Sequence, residues 1–236
     1  MLKYLNLPKN KVLVFRTKVV SLFILLFLFS TKSFAIYSPF IIESHADKEA
    51  NSASKQALRE RLGKINNLRA SFEQTIIDGN QTILQTASGE IIVAKPQKLR
   101  WEISQPEESL LIADGKTVYN IDPFVEQVTL LDQDDLTKSN PLMLLVSDDD
   151  THWQQVSVTQ NENNYIIQAL DTDAPVAKLV LNFNSGGDLL GLESTDRQEQ
   201  TSILVFNTTR INQPLSSILF TFDASDTWVI DDQRAN

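Results

Sequence analysis

The sequence predicts a mainly β fold with an α lid: an incomplete antiparallel β-barrel of about eleven strands that encloses a hydrophobic cavity covered by helices. Short runs of alternating apolar and polar residues follow one another, and turn-forming pairs such as Asp78-Gly79 and Asp114-Gly115 separate them. Only two segments have a helical pattern, which is too few to cover both faces of such a sheet. Because a large antiparallel sheet curls with its right-handed twist, we expect the helices on the concave side, above an apolar cavity.

Residues 1–35 have the pattern of a signal peptide that is cleaved after Ala35. Basic residues precede the apolar run Val19–Phe29, and the small residues Ser33 and Ala35 occupy the −3 and −1 positions of the cleavage site. An uncleaved membrane anchor is the alternative, but this run is shorter than the roughly 20 residues that a spanning helix needs. We therefore expect an exported, soluble mature protein.

The mature chain is strongly acidic. The predicted signal peptide holds six of the 21 Lys and Arg residues and none of the 30 Asp and Glu residues, so the remainder has 15 basic and 30 acidic side chains and a net charge of −15. Phosphate backbones and anionic lipid headgroups would repel such a surface, so we expect no nucleic-acid partner and no stable membrane insertion. High net charge also keeps proteins soluble and apart, and we expect a monomer.

The sequence lacks the residues that most catalytic or metal sites require. It has no Cys, which excludes a disulfide, a thiolate metal site and a lipid anchor on an N-terminal cysteine. His45 and His152 are its only histidines, and no Gly-x-Ser-x-Gly motif is present. The aspartate clusters at 132–135, 148–150 and 231–232 lack calcium-loop spacing and are expected to be solvated loops. We expect no metal, no cofactor and no enzyme activity, with a lipid esterase as the less favoured alternative.

Residues 36–54 are weakly patterned and are expected to form a poorly ordered lead, followed by one domain over residues 55–236. Apolar residues then recur at helical spacing, which predicts an amphipathic helix of about four turns. The residues of this stripe are Ala57, Leu58, Leu62, Ile65 and Leu68. Such a stripe must pack against another part of the fold.

After Leu68 the pattern changes from helical to alternating, which indicates β-strands. Asp78-Gly79, Asp114-Gly115, Asn163-Asn164 and Gly186-Gly187 mark turns between strands. Strands are predicted near 69–77, 82–94, 98–104, 108–113, 117–121, 125–131, 153–160, 164–170, 176–184, 189–196 and 201–211, with a short one at 219–222. Several hairpins in series predict an antiparallel meander.

The segment from Asn140 to Val146 interrupts the β pattern. Asn140 is a good N-cap and Pro141 a good first helical residue. The five residues that follow Pro141 are apolar without a gap, so the helix must be surrounded by other apolar groups. It is either an ordinary core helix or a plug that lies over or inside the cavity.

The candidate ligand-binding residues are apolar and aromatic. We select those that the predicted wall and lid would present to the cavity, with ordinary core packing as the alternative for each. They are Phe72, Leu99, Trp101, Leu110, Ile112, Phe124, Leu142, Met143 and Leu145.

Several short motifs are shared with one known family. They are Gly89 with Val93, Lys95-Pro96, Trp101, Gln105–Ser109, Asp114–Thr117, Asp122–Gln127, Asn140–Leu142, Trp153–Gln155, Phe220–Phe222 and Val229–Gln233. Through these motifs the sequence resembles LolA, the outer-membrane lipoprotein carrier family. The likeness extends over nearly all of the mature chain, and the block Gln105–Gln127 is its most specific part.

The resemblance implies an incomplete β-barrel closed by helices, in the periplasm of a Gram-negative bacterium. It implies a carrier that accepts acylated lipoproteins from the inner-membrane ABC transporter LolCDE and passes them to LolB, an outer-membrane receptor of the same fold. Because the chain has no Cys, it resembles the soluble carrier and not the anchored receptor. The alternative is a general periplasmic carrier of other hydrophobic molecules.

The resemblance also implies a latch between the lid and the barrel. In this family an arginine commonly precedes the proline of the motif and hydrogen-bonds to the lid helices in the closed state. Lys95 occupies that position here, and its ammonium lacks the planar five-donor fork of a guanidinium. We expect Lys95 to form the latch, with Arg100 as a second candidate.

Overall fold

A computed structural model of the chain describes residues 45–137, 140–147 and 149–234. The prediction of a signal peptide over residues 1–35 concerns residues outside this range. The described helices are α1 (His45–Gly63), α2 (Gln133–Thr137) and α3 (Asp150–Gln154), with 3-10 helices at Pro141–Leu145 and Ser217–Phe220. None of the helices in the described residues is both long and apolar enough to cross a membrane.

In the part of the chain that the structure describes, twelve strands form a single sheet that does not close on itself. They are β1 (Asn67–Ile77), β2 (Ile83–Ala94), β3 (Lys98–Gln105), β4 (Ser109–Ala113), β5 (Thr117–Asp122), β6 (Gln127–Asp132), β7 (Val156–Asn161), β8 (Asn164–Ala169), β9 (Lys178–Phe183), β10 (Leu189–Thr195), β11 (Thr201–Ile211) and β12 (Val229–Asp232). The spatial order is β12-β6-β5-β4-β3-β2-β1-β11-β10-β9-β8-β7, so β12 and β7 are the two edges. The predicted incomplete, mainly β barrel is confirmed.

Neighbouring strands pair antiparallel except at one edge. β12 runs parallel to β6, with Val229 opposite Gln127 and Asp232 opposite Leu130. The predicted all-antiparallel meander is therefore wrong at this edge. β12 has only four residues and pairs with a strand far away in the sequence, so neither alternation nor a turn signal reveals it.

Two other predicted strand positions differ from the structure. The short strand expected at 219–222 is replaced by the 3-10 helix Ser217–Phe220. The strand expected from residue 153 begins only at Val156, because Asp150–Gln154 form α3. Asp149 caps this helix by accepting a hydrogen bond from the backbone N–H of Thr151, which is the usual role of an aspartate at an N-terminus.

Helix α1 begins earlier and ends earlier than the sequence predicts. It starts at His45, inside the segment expected to be a poorly ordered lead, and it ends at Gly63, before Ile65 and Leu68. Its first half is held by tertiary hydrogen bonds, since Asn51 Oδ1 accepts from the backbone N–H of Val158 at 2.8 Å. Local patterning does not show such a contact, because its partner lies in the edge strand β7.

The sheet has a hydrophobic cluster on each face. The main cluster lies between the sheet, α1 and the 3-10 helix Pro141–Leu145. The outer cluster lies on the opposite face of the first strands and is covered by the C-terminal segment around Phe220. Neighbours on one strand alternate between the two, since Ile91 and Val93 join the main cluster and Ile92 joins the outer one.

Candidate functional site

The candidate site is the interior of the main cluster, beneath α1 and the 3-10 helix Pro141–Leu145. Its residual void is only about 20 Å³, which is room for about one water molecule. The walls of the void are apolar and come from the helix side and the sheet alike, including Leu62, Leu145, Val93 and Phe206. The interior is therefore filled by the protein's own side chains.

Six of the nine predicted ligand-binding residues are brought together in this main cluster. They are Phe72, Leu99, Trp101, Leu142, Met143 and Leu145. The rings of Phe72 and Trp101 lie 5.1 Å apart between centroids at an angle of 56°, a favourable tilted arrangement for two aromatic rings. The wall residues and the helix residues of the prediction thus contact one cluster.

The other three predicted residues lie elsewhere. Leu110 and Ile112 belong to the outer cluster, on the opposite face of the sheet. Phe124 lies in the turn between β5 and β6 and is 89% exposed. These three residues therefore do not contact the interior in this structure.

Sequence reasoning missed the inward residues of β4 because it chose the wrong alternate positions. Leu111 pairs with Trp101, and Ala113 pairs with Leu99. Residues directly opposite each other in a sheet project from the same face, so Leu111 and Ala113 share the inner face with Trp101 and Leu99. The length of the β3–β4 turn determines this register, and the apolar run Leu110–Ala113 gives no alternation from which to read it.

A cleft of about 480 Å³ lies at the surface above the interior. We call it the mouth. It is bounded by α1 and by Lys95 in the β2–β3 turn. Leu144, Ser147 and Trp153, from the segment that runs from the 3-10 helix Pro141–Leu145 through α3, complete its lining. Leu62 lines both the mouth and the small void, so the two spaces are separated by side chains of the lid.

Lys95 connects the β2–β3 turn to α1. Its Nζ donates a hydrogen bond of 3.1 Å to the carbonyl oxygen of Leu62. In the same turn the backbone N–H of Gln97 donates to the carbonyl oxygen of Val146 at 2.8 Å. One turn therefore contacts both parts of the lid, α1 and the end of the 3-10 segment. The hydrogen bond of Gln97 was not predicted from the sequence.

Arg100 does not contact the lid in the structure. Its neighbours across the sheet are Ile92 and Ile112, which both belong to the outer cluster. Its Nη2 pairs instead with Glu102 Oε2 at 2.7 Å on the same strand. The second candidate for the latch is thus wrong, because Arg100 and α1 lie on opposite faces of the sheet.

A second set of contacts joins α1 to α3. Lys55 Nζ donates to the carbonyl oxygen of Trp153 at 2.9 Å, and Arg59 forms an ion pair with Asp150. The guanidinium of Arg59 also lies over the Trp153 ring, 5.9 Å from its centroid. Since β7 follows α3 directly, these contacts attach α1 to the β7 edge of the sheet.

The 3-10 helix Pro141–Leu145 has the predicted start. Asn140 accepts a hydrogen bond from the backbone N–H of Leu142 at 3.0 Å through its side chain, and Pro141 is the first helical residue. Met143 and Leu144 are buried, as expected of an apolar segment. The segment is a single short 3-10 helix whose side chains fill the space beneath α1.

The described residues contain no group of three or more His, Asp or Glu residues that could hold a metal ion. The chemical character of the site is an apolar interior under a lid that polar contacts fasten at its rim. Such an arrangement can hide an apolar molecule from water if the lid moves.

Comparisons with known proteins find relatives of this chain. The profile of the family described as outer membrane lipoprotein carrier protein LolA matches residues 63–223. An outer-membrane lipoprotein carrier protein from Haemophilus influenzae is 33% identical over 185 residues, which are 78% of this chain and 89% of the relative. A protein of the same name from Shewanella loihica is 33% identical over 191 residues, 81% of this chain and 88% of the relative. The crystal structure of a LolA superfamily protein from Nitrosomonas europaea gives a TM-score of 0.42 at 10% identity, over 72% of this chain and 98% of that one.

Proposed function

The chain belongs to the LolA family of outer-membrane lipoprotein carrier proteins, and on this premise we propose how it carries its cargo and between which partners. It hides the acyl chains of lipoproteins inside the main cluster while they cross the periplasm. It accepts them from the LolCDE transporter in the inner membrane and delivers them to LolB at the outer membrane. The observation that carries the proposal is an apolar interior that side chains of the sheet and of the lid fill almost completely.

The physical task is to move long acyl chains through water. Burial of each CH₂ group stabilises by about 0.8 kcal/mol, so one exposed acyl chain costs roughly 10 kcal/mol. An interior built from Phe72, Leu99 and Trp101 offers such a chain an apolar environment. The strongly acidic surface keeps the carrier itself soluble.

Release requires that the carrier does not bind its cargo too tightly. In the empty protein Leu142, Met143 and Leu145 pack in the main cluster, and an entering acyl chain displaces them. The lost lid contacts offset part of the free energy that burial of the chain contributes. The net affinity is therefore moderate, which suits transfer to the next protein.

The contacts of the lid divide it into two separately attached parts. Four contacts attach α1 to α3 and β7, through Asn51, Ser54, Lys55 and Arg59. The 3-10 segment is held to the barrel turn by the Gln97–Val146 bond. The mouth lies between these two parts and is bridged by Lys95. We place the entry of the acyl chains there, as α1 and the 3-10 segment separate.

The test is native mass spectrometry of the protein purified from its own periplasm. Co-purified triacylated lipoprotein would support the proposal. Other bound lipids without lipoprotein would favour a general carrier of hydrophobic molecules. Release of free fatty acid from a lipoprotein by the purified protein would favour a lipid esterase and contradict a carrier role.

A further inference from the structure

Arg61 is held between two aromatic rings at the end of α1. It lies in the last turn of the helix, and its guanidinium carbon is 5.7 Å from the ring centroid of Tyr165 and 5.3 Å from that of Phe183. Both rings are buried, with 1% and 4% exposure, and they meet edge to face at 5.8 Å. The two rings therefore fix the guanidinium in place by cation–π contacts.

One nitrogen of this guanidinium is buried without a hydrogen-bond partner among the described residues. This nitrogen is Nη1. It faces the β9–β10 turn, where a Cβ added to Gly187 would lie 3.4 Å from it. Leaving a charged donor buried and unsatisfied is unfavourable, and each such group in a folded protein calls for an explanation.

The unsatisfied donor lies at the margin of the apolar interior. Arg61 precedes Leu62, and Phe183 pairs with Leu189 across the sheet. Leu62 and Leu189 both line the small void of the main cluster. An acyl chain that fills this interior would therefore bring its polar end close to the guanidinium of Arg61 if that end points towards α1.

The donor selects the chemistry of the group that it can bind. A carboxylate or phosphate is best matched by two parallel donors of one guanidinium, whereas here Nη1 is the one nitrogen of Arg61 that lies buried without a partner. A carbonyl oxygen is a neutral acceptor that one nitrogen satisfies. It also does not bring a second charge into an apolar interior, which would be costly.

We propose that Arg61 Nη1 donates a hydrogen bond to the ester or amide carbonyl oxygen at the head of a bound acyl chain. This inference rests on the proposed function, since it needs an acyl chain in the main cluster. Arg61 then fixes the depth and direction of the chain, with its head at the end of α1 and its tail between the sheet and the lid. Tyr165, Phe183 and Gly187 hold the guanidinium in position for this contact.

The test compares two ligands that differ only in the carbonyl group: methyl palmitate and hexadecyl methyl ether. Their affinities are measured by displacement of a fluorescent fatty-chain probe from the wild type, from Arg61→Met and from Arg69→Met. We expect the wild type to prefer the ester about tenfold, as a charge-assisted hydrogen bond would give. In Arg61→Met this preference should fall to about onefold with little change for the ether. Arg69→Met is the matched control and should keep the preference, because Arg69 pairs with Glu90 and lies opposite Ile92 of the outer cluster.

An infrared measurement tests the proposed hydrogen bond in the wild-type protein, without any substitution. The infrared band of methyl palmitate with ¹³C in the carbonyl should shift to lower frequency in the wild-type complex relative to hexane, because a hydrogen bond weakens the C=O bond. A band at the hexane position would overturn the proposal, and so would equal preference for ester and ether in the wild type. Binding of neither ligand would overturn the carrier interior itself, so the two failures are distinguishable.

Discussion

The side chain of Lys95 closes the end of α1 by a hydrogen bond of 3.1 Å to the carbonyl oxygen of Leu62. The last carbonyl groups of a helix lack partners within the helix and carry the negative end of its dipole. An ammonium group at this place therefore stabilises the observed position of α1 by a hydrogen bond and by charge. We propose that Lys95 is the latch, at the position where the family resemblance leads us to expect an arginine.

Lys95→Leu is predicted to loosen the lid while the barrel stays folded. Loss of a hydrogen bond worth about 1 kcal/mol would raise the population of the open lid about fivefold. Limited proteolysis with chymotrypsin should then cut the empty variant faster than the wild type within α1 and the 140–155 segment. In the lipid-loaded protein the difference between variant and wild type should shrink, because the bound chains already displace the lid.

Arg100→Leu is the matched control for this prediction. This substitution also removes a positive charge close to the same turn. In the wild type, however, Arg100 pairs with Glu102 on the outer face. The proteolysis of α1 should not change in this variant. Equal protection of the Lys95→Leu variant and the wild type in the empty state would contradict the latch.

Leu99→Glu is predicted to prevent loading of acyl chains. Leu99 packs against the main cluster from β3, and a carboxylate there would need to be buried beside the chain, at a cost of several kcal/mol. We expect lipoprotein transfer to fall at least tenfold, as measured by release of a radiolabelled lipoprotein from inner-membrane vesicles. Leu110→Glu is the matched control, since Leu110 is a half-buried leucine of the outer cluster. Unchanged transfer by a folded Leu99→Glu protein would falsify the placement of the chain.

The sequence was sufficient for the elements whose signals are local. Strand positions between turn pairs such as Asp78-Gly79 follow from alternation and turn chemistry, and β1 and β2 lie where both signals predict. The Asn140-Pro141 start is equally local, and the structure has it. The elements that were not predicted depend on partners that are distant in the sequence. β12 forms by pairing with β6, and the first half of α1 is held by a hydrogen bond to β7.

In the candidate site, too, the residues with local sequence signals were predicted and the others were not. Phe72 and Trp101 were identified from residue type and position in alternating strands, and they meet in the main cluster. Leu110 and Ile112 were assigned to the wrong face, because four successive apolar residues give no period from which to choose. Arg61 has no signal in the sequence at all, since an arginine on an amphipathic helix is expected to face solvent.

Gly89→Ala is predicted to destabilise the fold strongly. A Cβ at Gly89 would lie 1.9 Å from the carbonyl oxygen of Glu102 in the neighbouring strand, so β2 and β3 would have to separate where the register already shifts between Ser88 and Gly89. We expect a loss of about 1–3 kcal/mol or more in the free energy of unfolding. Urea denaturation measures it. Gly63→Ala is the control, because nothing lies within 4 Å of its Cβ position, and its stability should change by less than about 1 kcal/mol.

The ion pair at the end of β12 is predicted to weaken in acid. Arg234 donates to Asp232 through Nε at 2.8 Å and Nη2 at 2.6 Å, and this pairing lowers the pKa of Asp232 from 3.8 to about 2. A lowered pKa in the folded state means that the stabilisation is complete above about pH 4 and is lost as the pH falls towards 2. An NMR titration of the Asp232 carboxyl carbon should therefore have its midpoint at about pH 2, and in Arg234→Gln it should return towards the ordinary value. Asp78 provides the internal control, since the backbone N–H of Thr82 is the main cause of its lowered pKa and its titration should be the same in both proteins. An unchanged midpoint of Asp232 in Arg234→Gln would show that the ion pair does not hold the carboxylate in its charged form.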